Sequence, residues 1–309
     1  MNAEELMAGL SDDDSSIRSD AVEDIAWGDV GAALEALLAR LPIEPSQAVR
    51  EEIVVALGRL TDPRIPALCA ALLTHDEAFV RNAALTILQK KGRGSLDAIE
   101  RAFREGNADV RKLAIDATAR WDSSEVDGLY EAALADEDIN VRMAAVENIG
   151  EHGRSAFRER LEELLRKESN PMLVATLLSA LLAVGCELTW SAIRSRYASL
   201  EAVPAHQRVL WIRALGQWGG PADAELLRDA VSRSACSADA DVFDAMRTLK
   251  ERHPTMEMPE ALVDWLRTLA RADEATPLGR RIRGWLATSL PARNASDSMR
   301  PLAARRGAS

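Results

Sequence analysis

The stretch Asn140-Val141-Arg142-Met143-Ala144-Ala145-Val146-Glu147-Asn148-Ile149-Gly150 constrains this chain more than any other, because versions of it return at nearly constant spacing. Val49-Arg50 leads to Ala56-Leu57-Gly58, Val80-Arg81 to Ala83-Ala84-Leu85, Val110-Arg111 to Ala114-Ile115, and Gln207-Arg208 to Ala214-Leu215-Gly216. Indexed on the arginine or its equivalent, the units fall at Arg18, Arg50, Arg81, Arg111, Arg142, Val174, Arg208 and Phe243, which are 32, 31, 30, 31, 32, 34 and 35 residues apart. Two helices of about 10 to 14 residues with two short turns use roughly 30 residues, so this period requires a helix pair per unit. One pair cannot bury its apolar face alone, and stacking against neighbours supplies the core.

Composition agrees with helices throughout. Aromatic residues make up only 4% of the chain, while Ala, Leu, Glu and Arg dominate, the residues that lose least on entering a helix. First helices are predicted over 3–9, 30–41, 63–74, 95–105, 124–135, 154–167, 188–200, 221–234 and 258–270, and second helices over 14–27, 46–60, 78–91, 109–121, 139–150, 171–184, 206–218, 239–252 and 277–290. Asp62-Pro63 and Asn170-Pro171 mark helix starts, and Gly58, Gly92, Gly150, Gly185 and Gly216 fall near the ends of second helices. The expected organisation is one array over residues 1–290, in units near 1–28, 29–60, 61–92, 93–121, 122–152, 153–185, 186–219, 220–254 and 255–290. The last pair, least like the others, is expected to cap the stack. The small, polar and basic tail 291–309 is expected to be disordered.

The run from Asp138 and Val141-Arg142 through Ala144-Ala145 to Ile149-Gly150 resembles a HEAT repeat. Its period of about 31 resembles the short HEAT-like subclass first recognised in phycobilin lyases. The resemblance covers about residues 10 to 250 and implies an all-α, armadillo-like, right-handed α-solenoid of about nine helix pairs. For function it implies little, since the family includes scaffolds, enzyme subunits and DNA glycosylases. Tetratricopeptide and ankyrin signatures are absent. Within each unit Val141, Ala145 and Ile149 share a helical stripe suited to packing. Arg142 and its equivalents are expected to bond turn carbonyls or carboxylates of adjacent units, with Asp109, Asp136 and Asp138 as available acceptors.

Charge is distributed unevenly. The chain carries −11, and residues 1–60, with 13 acids against four arginines, hold −9 of it. That end projects a negative field that opposes phosphate backbones and attracts basic surfaces, or else serves as a solubilising cap on the first unit. Cys69, Cys186 and Cys236 lie far apart without a C-x-x-C pair, so free, largely buried thiols in a reducing compartment are expected. The acidic start and the lack of a long apolar run lead to an expectation of a cytoplasmic location without membrane attachment.

Catalytic signatures are sparse. Deoxyhypusine hydroxylase, a HEAT-like enzyme, uses several His-Glu pairs for two irons, but His75, His152, His206 and His253 include only one acidic-His pair, Glu151-His152. No metal, cofactor or catalytic residue is therefore expected. No nucleophile elbow occurs, and Lys90-Lys91-Gly92-Arg93-Gly94-Ser95 lacks the spacing of a phosphate loop and reads as a helix C-terminus. The HEAT-like glycosylases bring Trp27, Trp121, Trp211 and Trp218 into view, yet the acidic amino-terminal end argues against nucleic acid.

Function is expected on the second helices, which line the concave side in HEAT arrays. Positions two, six and ten after each opening apolar residue form one face. It begins Ser19, Glu23, Trp27; Glu51, Val55, Arg59; Asn82, Thr86, Lys90; it continues Lys112, Asp116, Arg120; Met143, Glu147, Glu151; Ala175, Ser179, Ala183; and Val209, Arg213, Gln217. A face running from acidic to apolar suits a peptide or helix with a basic end, so a non-catalytic protein-binding scaffold or adaptor is the leading expectation. Its expected partner-binding residues are Glu23, Glu51, Lys112, Asp116, Arg120, Glu147, Trp211 and Arg213. Two alternatives stay open: a phycobilin-lyase-like subunit that holds a tetrapyrrole, and an inhibitor or immunity-type protein whose acidic end masks a basic partner.

Overall fold

Five of the second helices begin at a side chain that takes up an unpaired backbone N–H group. Ser46 accepts from the Val49 amide, Asn107 from Val110, Asp138 from Asn140, Asn170 from Met172 and Thr276 from Gly279, each opening a second helix. The computed structural model describes residues 3–28, 34–121, 124–185, 189–231, 239–272 and 276–290. The expected disordered tail 291–309, together with Cys186 and Cys236, lies outside the described residues.

The described residues are helical with no strand, as the sequence indicates. They divide into two compact units, Met1–Phe157 and Arg158–Ser309. In the first unit the first helices are α1 (Ala3–Gly9), α3 (Leu34–Arg40), α5 (Ile65–Leu72), α7 (Leu96–Glu105) and α9 (Asp127–Leu134). They alternate with the second helices α2 (Ser15–Gly28), α4 (Gln47–Arg59), α6 (Ala78–Lys91), α8 (Ala108–Ala117) and α10 (Ile139–Glu151). Each second helix packs on the next, α2 on α4, α4 on α6, α6 on α8 and α8 on α10, while α5 packs on α7 in the outer layer. In the second unit α11 (Arg158–Lys167), α13 (Thr189–Arg196), α15 (Ala224–Val231) and α17 (Glu260–Ala272) alternate with α12 (Pro171–Val184), α14 (Arg208–Trp218), α16 (Asp239–Arg252) and α18 (Pro277–Ser289). There too α12 packs on α14, α14 on α16 and α16 on α18. No helix among the described residues is long and apolar enough to cross a membrane.

Two predicted helices end four residues early. Helix α8 stops at Ala117 rather than 121, where buried Thr118 turns its hydroxyl onto the Ile115 carbonyl at 2.8 Å and lies 3.3 Å from the Tyr130 hydroxyl. Helix α13 stops at Arg196 rather than 200. Arg196 donates to the Leu165 carbonyl at 2.8 Å and the Tyr197 hydroxyl to Gln207 at 2.7 Å, which ties the chain down before a 3₁₀ turn at Leu200–Ala202.

The core runs along one register. Four residues after the opening apolar position come Ala21, Ile53, Ala84, Ala114, Ala145, Leu177, Trp211 and Met246, all buried. The motif arginines lock the turns that join helices. Arg18 donates to the carbonyls of Asp12 and Asp13, Arg50 to those of Pro42 and Glu44, Arg81 to His75 and Asp76, Arg111 to Gly106, and Arg142 to Asp136 and Glu137. Arg18, Arg50 and Arg111 also reach a carboxylate of the following unit: Arg18 to Glu44 at 2.7 Å, Arg50 to Glu77 at 2.6 Å and Arg111 to Asp136 at 2.7 Å. Of the acceptors anticipated, Asp136 fills that role and Asp138 instead caps α10.

Glu44 is the most enclosed member of this ladder. Its side chain is 0% exposed and meets Arg18 through both oxygens, Arg40 at 2.7 Å and the Ser46 amide at 2.8 Å. Burial pushes its carboxyl up, but Arg18, the Ser46 amide and Arg40 together hold it down at about 2.

Candidate functional site

Helical geometry places residues four apart on one face, so the positions at two, six and ten after the opening apolar residue project together. In the first unit Glu23 and Trp27 of α2, Glu51, Val55 and Arg59 of α4, Asn82, Thr86 and Lys90 of α6, and Glu147 and Glu151 of α10 are exposed. In the second unit Ser179 and Ala183 of α12 and Arg213 and Gln217 of α14 are exposed. The face read from the sequence is therefore a solvent-facing surface of both units.

Glu23 and Glu51 line a groove between α2 and α4. Lys112 pairs with Asp116 at 2.7 Å on α8, opposite Glu147 of α10. Desolvation raises the Glu147 carboxyl, Lys112 draws it down, and Asp116 and Glu151 push it up. Arg120 is exposed beyond the end of α8, and Arg213, in the second unit, pairs with Asp241 at 2.8 Å.

Trp211 is a correction. It is 0% exposed and stacks edge-on against Trp190 with ring centroids 5.4 Å apart. It holds the core register filled by Ala145 and Ala114 in other units, two residues away from half-buried Val209 and exposed Arg213. Aligning the units on that register identifies it as a core residue. Trp121 and Trp218 are buried as well, so among the four tryptophans of the second helices and their ends Trp27 alone, 71% exposed, can meet a partner.

The α2–α4 groove encloses about 450 Å³ and is lined by Ser19, Glu23, Glu51, Glu52, Val55 and Arg59, over a floor that includes Val22 and Ala56. The Trp27 indole stands at its end, donating to Glu23 at 3.1 Å, with the Arg59 guanidinium 5.2 Å above the ring. Glu52 accepts from the Ser19 hydroxyl at 2.6 Å and Glu51 from Gln47 at 2.9 Å. Among the described residues no cation forms an ion pair with Glu23, Glu51 or Glu52. Three carboxylates against one guanidinium leave the groove acidic.

A second row of cations escaped the sequence reading. Lys91 at the end of α6 donates to the carbonyls of Gly58 and Leu60 at the end of α4, Arg154 to the Trp121 carbonyl, and Arg252 to that of Gly219. These bridges of 31 to 33 residues neutralise carbonyl ends of preceding second helices. The turn after α6 is thus a structural device. Gly92 there adopts φ 56° and its N–H caps the Leu88 and Gln89 carbonyls. Among the described residues no group of three or more His, Cys, Asp or Glu could hold a metal ion.

The arginine ladder repeats a turn-locking geometry from unit to unit, and residues 3–89 and 96–182, more than half of the chain, match the family model for HEAT repeats. The chain belongs to the HEAT-repeat family. Solved structures similar to this HEAT protein include the complex of CpcE and CpcF of phycocyanin lyase from Nostoc sp. PCC7120, at 19% identity and a TM-score of 0.32, over 81% of this chain and 94% of that one. The Escherichia coli protein YibA is similar at 17% identity and a TM-score of 0.49, over 81% and 93%. Human deoxyhypusine hydroxylase is similar at 18% identity and a TM-score of 0.33, over 87% and 95%. No curated protein sequence matches the chain.

Proposed function

We propose that this HEAT protein is a non-catalytic scaffold or adaptor that binds another protein through the exposed face of its second helices, with the α2–α4 groove taking a basic segment of the partner. The observation that carries the reading is Trp27. A large indole left 71% exposed beside a groove with unpaired carboxylates is the kind of aromatic anchor that concentrates binding energy at interfaces. Val55, 39% exposed on the same surface, adds apolar area. The motif residues that recur most regularly are occupied with stacking, which leaves the irregular positions for recognition.

The test is quantitative affinity purification from the native host with the full chain and with a Glu23→Arg/Glu51→Arg/Glu52→Arg variant, whose helicity is checked by circular dichroism. The expected result is loss of one or more partners from a variant that stays folded. Recovery of the same partners in the same amounts by both proteins refutes the site.

A further inference from the structure

The amino-terminal groove has a counterpart in the same sequence. Residues 291–309 carry Arg293, Arg300, Arg305 and Arg306 against one acid, Asp297, in a chain whose first 60 residues hold −9. We propose that the α2–α4 groove receives the arginine-bearing segment 293–306 of a second copy of this chain, joining copies head to tail. This deepens the protein-binding reading of that face and rests on it.

Charge selects this occupant. The groove offers Glu23, Glu51 and Glu52 without an ion-pair partner among the described residues, and exposed Asp20 and Asp24 add to the field of α2. Arginine in particular suits the site, because Arg59 already lies 5.2 Å over the Trp27 ring. An incoming guanidinium can use that same chemistry, an aromatic face with carboxylates at its rim, which rewards its planar, forked shape over an ammonium. Leu302, between Arg300 and Arg305, offers an apolar side chain to Val55 and the floor residues Val22 and Ala56.

Fourteen extended residues span up to about 45 Å. The donor segment and the acceptor groove are different surfaces, so the contact is heterologous: each copy that gives its segment still has an empty groove, and assembly continues with concentration. Its strength should fall with salt, because exposed charges are screened.

Sedimentation velocity on the full chain tests the proposal, from low to high protein concentration, at about 20 mM and about 500 mM salt. The expected wild-type result is a mean mass that rises with concentration at low salt and falls back at high salt. Glu51→Arg/Glu52→Arg and Arg300→Glu/Arg305→Glu/Arg306→Glu should each weaken association at least tenfold. Mixed one to one they should give a dimer and nothing longer, because the first retains its segment and the second its groove. A wild type that is monomeric throughout, an association that neither variant changes, or a mixture that stays monomeric each overturns the inference. Monomeric wild type together with loss of foreign partners in the groove variant above overturns head-to-tail joining and leaves the scaffold reading standing; unchanged partner capture overturns the reading itself.

Discussion

Replacing Glu44 with glutamine isolates the electrostatics of the ladder from its packing. The amide keeps the shape and one acceptor, but Arg18, whose side chain is 5% exposed, loses the charge it faces at 2.7 and 2.9 Å. Removing one partner of a buried pair costs about 3 to 5 kcal/mol, and the remaining Asp12 and Asp13 carbonyls place this variant at the lower end. The pH dependence gives an independent figure. Glu44 moves from an ordinary 4.5 to about 2, so it binds its proton more weakly when folded than when unfolded. Its contribution is therefore complete above about pH 4.5, at about 3 kcal/mol, drops to about 1.4 kcal/mol at pH 3, and nearly vanishes at pH 2. Urea titrations followed by circular dichroism, at pH 7 and pH 3 on both proteins, measure it. The variant should be less stable by about 3 kcal/mol at pH 7, and the gap should shrink by about half at pH 3. A gap below about 1 kcal/mol at pH 7, or one that does not shrink with acid, refutes the assignment of a stabilising buried charge.

Trp211 and Trp27 should behave oppositely: Trp211→Ala should cost about 3 to 5 kcal/mol in urea unfolding, and Trp27→Ala less than about 0.5 kcal/mol. Gly216→Ala should destabilise by about 1 to 3 kcal/mol through crowding, since its Cβ would sit 2.5 Å from the Ala245 Cα; Gly92→Ala, where nothing beyond its own chain neighbours lies within 4 Å, should cost about 1 to 3 kcal/mol through backbone strain, because φ 56° with ψ −136° is a conformation that L residues avoid, and thermal melts can read both losses. Burial pushes the Cys69 thiol up to about 12 although Lys91 draws it down. Iodoacetamide at about pH 8 should therefore leave Cys69 unmodified in the native protein and alkylate it in urea, as peptide mass spectrometry would show.

The fold was legible because its signals are local and repeated. A period near 31 residues, capping residues such as Asn107, Asp138 and Asn170, and an arginine after the opening apolar residue in the first five units are all readable without knowing what touches what. The exposed face followed from the same register. What escaped depends on side-chain size and reach across units. Trp211 reads as an aromatic anchor by composition but lies in the alanine register, where the structure fills its core with one large ring. Lys91, Arg154 and Arg252 look like ordinary helix-end cations, and only the placement of the preceding helix shows which carbonyls they serve. The early stop of α8 turns on the Thr118 hydroxyl, a bond that no periodicity announces.

The arginine ladder bears on how such a chain can change its length. Each clamp has a local half, an arginine and turn carbonyls five to eight residues before it, and at Arg18, Arg50 and Arg111 a distant half as well, an acid 25 to 27 residues ahead. The local half addresses backbone, which every turn sequence supplies, so a duplicated unit would arrive with its own turn already fastened. Only a single carboxylate would have to be matched across the new junction. Turn sequences can then drift freely between copies while the joints persist, and gaining or losing a unit becomes a small step rather than a redesign of the core.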